Sequence, residues 1–172
     1  MSSYRRVSAP GGLFFFTVVT HGRAPIFTTD DRVERLREAF RQVRATRPFT
    51  LEAMVVLPDH LHCLWRLPVG DGDYPGRWRE IKKAASRAIA PRSNARRERA
   101  VWQRRYWEHA VRNHDDWRRH LDYIHYNPVK HGLVARPQDW PWSSFGRYVA
   151  RGWYEVSWGS SEPADIAGLH FE

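Results

Sequence analysis

The sequence is poor in cysteine and lysine and holds no long apolar run. A single cysteine, Cys63, leaves no internal disulfide to staple the fold, which fits a reducing compartment. No apolar stretch reaches the roughly 20 residues needed to cross a bilayer. Leu13–Thr20 is too short for a secretory leader and has no cleavage-like site after it. These absences point to a cytoplasmic protein with no membrane partner. Lysine occurs only at Lys82, Lys83 and Lys130, so nearly all of the 28 basic residues are arginine. Set against 19 acidic residues they leave a formal charge of +9, and the pI is near 10.3. Arginine offers a planar fork that matches phosphate and stacks on bases. A basic domain of this kind attracts polyanions, nucleic acid above all.

At 172 residues, 42% hydrophobic and 14% aromatic, the chain can bury one sound core and is not globally disordered. We expect one domain over 1–150 and a tail over 151–172, rich in aromatics and packing on it.

Leu13–Thr20 (LFFFTVVT) is dense in aromatic and β-branched residues and reads as a buried strand. Thr29-Asp30-Asp31 offers helix caps. From Arg32 to Arg44 the apolar positions Val33, Leu36, Ala39, Phe40 and Val43 recur at helical spacing. Phe49–Leu57 and His60–Leu67, separated by the Pro58-Asp59 turn, predict a hairpin. Val69–Tyr74 reads as a loop and Trp78–Ala90 as a basic amphipathic helix. The arginine-rich stretch from Pro91 to Arg105 reads as a solvated loop. Tyr106–Val111 predicts a fourth strand and His114–Tyr126 a third helix, ending before Pro128. In that helix Trp117, Leu121 and Ile124 form the expected core stripe. From Pro137 on the chain reads as irregular. The order strand, helix, strand, strand, helix, strand, helix fits an α+β fold: a ferredoxin-like sandwich, its antiparallel sheet carrying helices on one face, with a C-terminal helix added.

Alternation on a strand puts His60 and His62 on one face and Leu61 and Cys63 on the other. Two adjacent neutral imidazoles make a two-point metal grip, although such a pair is also compatible with plain surface histidines. On the third helix Asp116, His120, Tyr123 and Asn127 share a second stripe, set apart from the core stripe. Asn127, one turn past Tyr123, is placed to offer a metal a third, oxygen ligand.

His60-Leu61-His62 resembles the HUH motif, and Tyr123-Ile124-His125-Tyr126-Asn127-Pro128-Val129-Lys130 is similar to the tyrosine-helix signature of single-tyrosine HUH transposases. Phe14–Thr17, Val56-Leu57-Pro58-Asp59, Trp102–Glu108 and Trp140–Phe145 followed by Tyr148 extend the likeness in the same order. Together they resemble the REP-associated tyrosine transposases. That resemblance implies a metal-dependent endonuclease and strand transferase. Its substrate is single-stranded hairpin DNA of repetitive extragenic palindromes, and its intermediate a 5′-phosphotyrosine. Tyr123 is the implied nucleophile; His60, His62 and Asn127 are the implied ligands of Mg or Mn. Two imidazoles favour Mn or Zn over Mg, which prefers oxygen. Tyr126, about 60° round the helix from Tyr123, is the competing nucleophile. DNA contacts are expected from Arg5 and Arg6, from Arg79, Lys82, Lys83 and Arg87, and from Arg104 and Arg105. The family implies a nucleoid-associated bacterial protein acting as a monomer or homodimer. A non-catalytic DNA or RNA hairpin binder and a metal-dependent hydrolase that activates water are the competing readings.

Overall fold

The computed structural model describes residues 8–90 and 101–172. Strand β1 (Leu13–Val19) leads through a loop to helix α1 (Asp30–Thr46), followed by β2 (Thr50–Val56), β3 (His60–Arg66) and α2 (Tyr74–Ile89). Strand β4 (Trp107–Ala110), α3 (His114–Lys130) and a short α4 (Phe145–Ala150) complete the order. The four strands form one antiparallel sheet in the order β2-β3-β1-β4. This is the expected α+β, ferredoxin-like arrangement.

Both faces of the sheet are covered, which is why every residue of β1 is buried. Phe14, Phe16, Val18, Leu61, Cys63 and Trp65 point to one side and pack against α1 and α2. Leu13, Phe15, Val55 and Leu64 point to the other and meet Leu121, Tyr123 and Ile124 of α3. Phe49, Trp65 and Trp78 stack at 4.2 and 4.4 Å in the first core. Among the described residues, no helix is long and apolar enough to cross a membrane.

Helix α2 starts at Tyr74, a turn earlier than expected. Asp73 caps it, its side chain accepting from the Gly76 N–H. Pro75 sits in the first turn, where its missing N–H costs no helical bond. A Cβ on Gly76 would stand 2.5 Å from both Arg47 Nη1 and Asp73 Oδ2, so a larger residue there would push aside the side chains that cap the turn. The expected solvated loop is interrupted. Val101 and Trp102 are buried, with Trp102 bridging to Thr20 and packing 5.5 Å from Phe27, while residues 103–105 are exposed as expected. Residues 91–100 of that stretch lie outside the described residues.

One expectation about α3 fails. The helix does not stop at Pro128 but runs on to Lys130, with His131 N–H bonding back to Asn127 O. A proline removes one N–H but leaves neighbouring bonds to carry the helix past it. Both stripes of α3 are buried: Leu121 and Ile124 of one, and Asp116, His120, Tyr123 and Asn127 of the other. One stripe faces the sheet, while α4 and the tail cover others. Here Tyr148, Tyr154, Trp158, Ile166, Leu169 and Phe171 join the second core.

Candidate active site

The hairpin register builds the site from the backbone up. Val19 pairs with His60 and Thr17 with His62, so the Thr17 side chain stands beside that of His62 on the α3 face. The two imidazoles are 4.9 Å apart, centroid to centroid. Each ring is fixed through its Nδ1. Asp59 Oδ1 lies 2.6 Å from His60 Nδ1, and Thr17 Oγ1 lies 2.8 Å from His62 Nδ1. The Thr17 hydroxyl donates its one proton to Phe171 O at 2.5 Å. It therefore accepts from His62 Nδ1–H, and the same logic makes Asp59 the acceptor from His60. These partners set a tautomer in which each Nε2 keeps its lone pair.

Neither Nε2 has a hydrogen-bond partner among the described residues, and neither amide atom of Asn127 has one, although all are fully buried. Buried polar atoms without partners are rare and point to a missing ligand. Burial keeps both imidazoles neutral, as a metal ligand must be. It lowers the pKa of His60 against the pull of Asp59, and that of His62 falls well below the usual histidine value. Burial also raises the Asp59 carboxyl, but its bonds with His60 and Arg23 outweigh this and hold it low.

Tyr123 meets this pair directly, its ring 5.3 Å from that of His62. The phenol accepts from Lys130 Nζ at 3.0 Å, and the ammonium also lies 4.7 Å from the ring centroid. Tyr126 is turned away, toward Trp158. Asn127 follows Tyr123 by one turn because α3 continues unbroken through it. Cys63 is buried among the α1 and α2 side chains on the sheet's other face, as alternation required.

The terminal residues enter the same space. Glu172 Oε1 lies 3.8 Å from His60 Nε2, 2.7 Å from His131 Nε2 and 3.3 Å from the Tyr123 hydroxyl. Phe171 N–H donates to the Tyr123 oxygen at 3.2 Å, and Lys130 also donates to Leu169 O. The bond from His131 holds the Glu172 carboxyl far below the usual carboxylate range, against a smaller rise from burial. One ligand atom each of His60, His62 and Glu172 fits within 4.8 Å, close enough to hold a metal ion. A second set, His109, Asp116 and His120, satisfies the same measure.

The family model described as "Transposase IS200 like" matches residues 14–127. The chain belongs to the IS200-like transposase family. Within it, the chain is 48% identical over 159 residues to a REP-associated tyrosine transposase of Escherichia coli K12, covering 92% of this chain and 91% of that protein. It also superposes on a solved REP-associated tyrosine transposase bound to a REP hairpin, with a TM-score of 0.83 and 44% identity over 99% of both chains. It is thus a transposase of the REP-associated tyrosine type.

In this transposase the described residues among the expected DNA contacts lie on α2 and just before β4. Arg79, Lys83 and Arg87 are exposed on the outer side of α2, across the sheet from His60 and His62. Lys82 donates to Gln103 O and sits over the Tyr106 ring. Arg104 and Arg105 are exposed just before β4, whose Trp107 stacks on Phe171. Arg5 and Arg6 lie outside the described residues. Sequence reasoning missed Thr17, Lys130 and the Phe171-Glu172 terminus. Lys130, two turns past Tyr123, was readable only by carrying the helix through Pro128. Thr17 needed the strand register.

Proposed function

We propose that the chain cuts and rejoins single-stranded hairpin DNA of repetitive palindromes through a covalent 5′-phosphotyrosine on Tyr123. The observation that carries this reading is the set of unpartnered buried atoms, His60 Nε2, His62 Nε2 and the Asn127 amide, on the elements that hold Tyr123. Their donor types suit Mn, and Mg with open positions left for phosphate oxygens. When bound, the ion polarises and orients the scissile phosphate. Two imidazoles and one amide oxygen as its holders fit the chemistry present here.

The protein's own groups supply the remaining steps. A phenol is a weak nucleophile at neutral pH, so Tyr123 needs help to attack. Lys130, at 3.0 Å, stabilises the phenolate as its proton leaves to solvent or a nearby base. Tyr123 Oη then forms a bond to phosphorus while the bond to the 3′ oxygen breaks, and that oxygen takes up a proton as a free 3′-OH. The phosphotyrosine keeps the phosphodiester energy. Attack by another 3′-OH reverses the step, so strands are rejoined without ATP. Arg104 and Arg105 guide the strand beside β4, and Arg79, Lys83 and Arg87 offer a second cationic stripe. Productive binding requires the Phe171-Glu172 terminus to leave, since its carboxylate stands where the phosphate would go.

The test is a labelled single-stranded palindrome from beside the protein's own gene, incubated with Mn or Mg. Wild type should give a protein–DNA adduct that survives a denaturing gel, and Tyr123→Phe should give none. Cleavage without any adduct would replace this reading with metal-activated water. Tight binding with neither adduct nor cut strand would make the protein a hairpin binder.

A further inference from the structure

The ring of Phe171 lies 4.7 Å from that of His120 and 5.2 Å from that of Trp107, in each case within 14° of parallel. Phe15 and Tyr123 meet it edgewise, at 5.5 and 4.8 Å. Two near-parallel partners and two edge partners define a flat aromatic slot. One wall is rigid: His120 Nδ1 lies 2.7 Å from Asp116 O and 3.2 Å from Asp116 Oδ1. Its Nε2 is buried without a partner among the described residues, leaving an unspent polar edge beside the slot. The other wall, Trp107, is 40% exposed on the edge strand and so is reachable from outside.

The occupant of the slot is an aromatic ring followed at once by a carboxylate. The ring fills the slot while Glu172 reaches His60, His131 and the Tyr123 hydroxyl. A nucleotide has the same two parts, a flat π-face and an anion tethered beside it. We infer that the slot of Phe15, Trp107, His120 and Tyr123 is a nucleobase site for the nucleotide next to the scissile phosphate. Phe171 stands in for the base and Glu172 for the phosphate. The inference rests on the DNA-cleaving function proposed above and adds to it a positioning residue, Trp107. Stacking between His120 and Trp107 accepts any base, because every base has a π-face.

A purely structural Trp107 makes the opposite prediction. If it only anchored the terminus, Trp107→Ala would loosen that terminus and speed cleavage. The experiment therefore uses the full chain carrying Phe171→Ala, with and without Trp107→Ala, on palindrome oligonucleotides. These carry 2-aminopurine, or an abasic sugar, at either nucleotide flanking the cut. We expect 2-aminopurine fluorescence to be quenched at one of the two positions and restored by Trp107→Ala. Adduct formation should slow on the order of tenfold to a hundredfold in Trp107→Ala, and Trp107→Phe should recover most of it. The abasic sugar at the quenched position should cost a similar factor with Trp107 present and nothing more once it is absent. Adduct formation indifferent to Trp107, or faster without it, would overturn the nucleobase site while leaving the cleavage reading intact. Absence of any adduct in wild type and Phe171→Ala alike would overturn both.

Discussion

Deleting the terminus from Leu169 onward should raise strand cleavage, and the structure sets the size of the effect. Besides the longer contact of the Tyr123 hydroxyl with Glu172 at 3.3 Å, four hydrogen bonds of 3.2 Å or less that involve a side chain leave with it: Thr17 to Phe171 O, Lys130 to Leu169 O, Phe171 N–H to Tyr123, and His131 with Glu172. At roughly 1 kcal/mol net apiece they amount to about 4 kcal/mol. The half-buried Phe171 ring adds about 1–2 kcal/mol. Ordering the terminal residues costs about 1 kcal/mol each, or about 4 kcal/mol together. The difference, about 1–2 kcal/mol, keeps the site covered roughly five to thirty times more often than open. A DNA strand that needs the open form binds more weakly by that factor, so deletion should speed adduct formation about five- to thirtyfold at subsaturating DNA. The assay is single-turnover adduct formation in Mn, with circular dichroism confirming the fold and DNA held below saturation. At saturating DNA the advantage should shrink. Glu172→Gln should show part of the gain, because it removes the carboxylate that bonds His131 but leaves Phe171 seated. A deletion that folds yet loses cleavage would refute the reasoning and make Glu172 a working metal ligand.

Lys130→Met should slow adduct formation on the order of tenfold to a hundredfold at neutral pH; an unchanged rate would argue against phenolate stabilisation. His60 and His62 both carry folded-state pKa values lowered by burial. Since the unfolded value is the higher one, unfolded chains take up protons first as pH falls. Their contribution to stability, and with it metal binding, is therefore full above about pH 6.5 and is lost as pH falls below it through the folded values. Mn titrations and thermal melts from pH 7.5 downward should decline together. Cys63 is fully buried, and its thiol is pushed well above its ordinary value by burial. It should resist a thiol reagent in the native protein and react once in denaturant; fast native labelling would mean that the core opens.

What the sequence made legible follows from periods that survive without knowledge of the fold. The HxH pair is visible because a strand alternates, and the Tyr123–Asn127 spacing because a helix turns in 3.6 residues. Thr17 carries no such signal, since what makes it the anchor of His62 is which residue of β1 faces it across the sheet, a property of two strands together. Glu172 lies 49 residues beyond Tyr123, in a stretch with no periodicity, and reaches the site only after the tail has packed on α3. The burial of the second stripe of α3 was not legible for a further reason. Amphipathic periodicity separates polar from apolar stripes but does not say which of them another layer covers. Helix α3 lies between the sheet and the tail, and its polar stripe is buried, with the Tyr123 ring against His62 of the sheet. A polar stripe buried beside an apolar one is thus a sign of a site. In this chain Asp116, His120, Tyr123 and Asn127 form that stripe, and Pro128, which argues for the helix's end, sits where the helix must continue for Lys130 to reach the phenol.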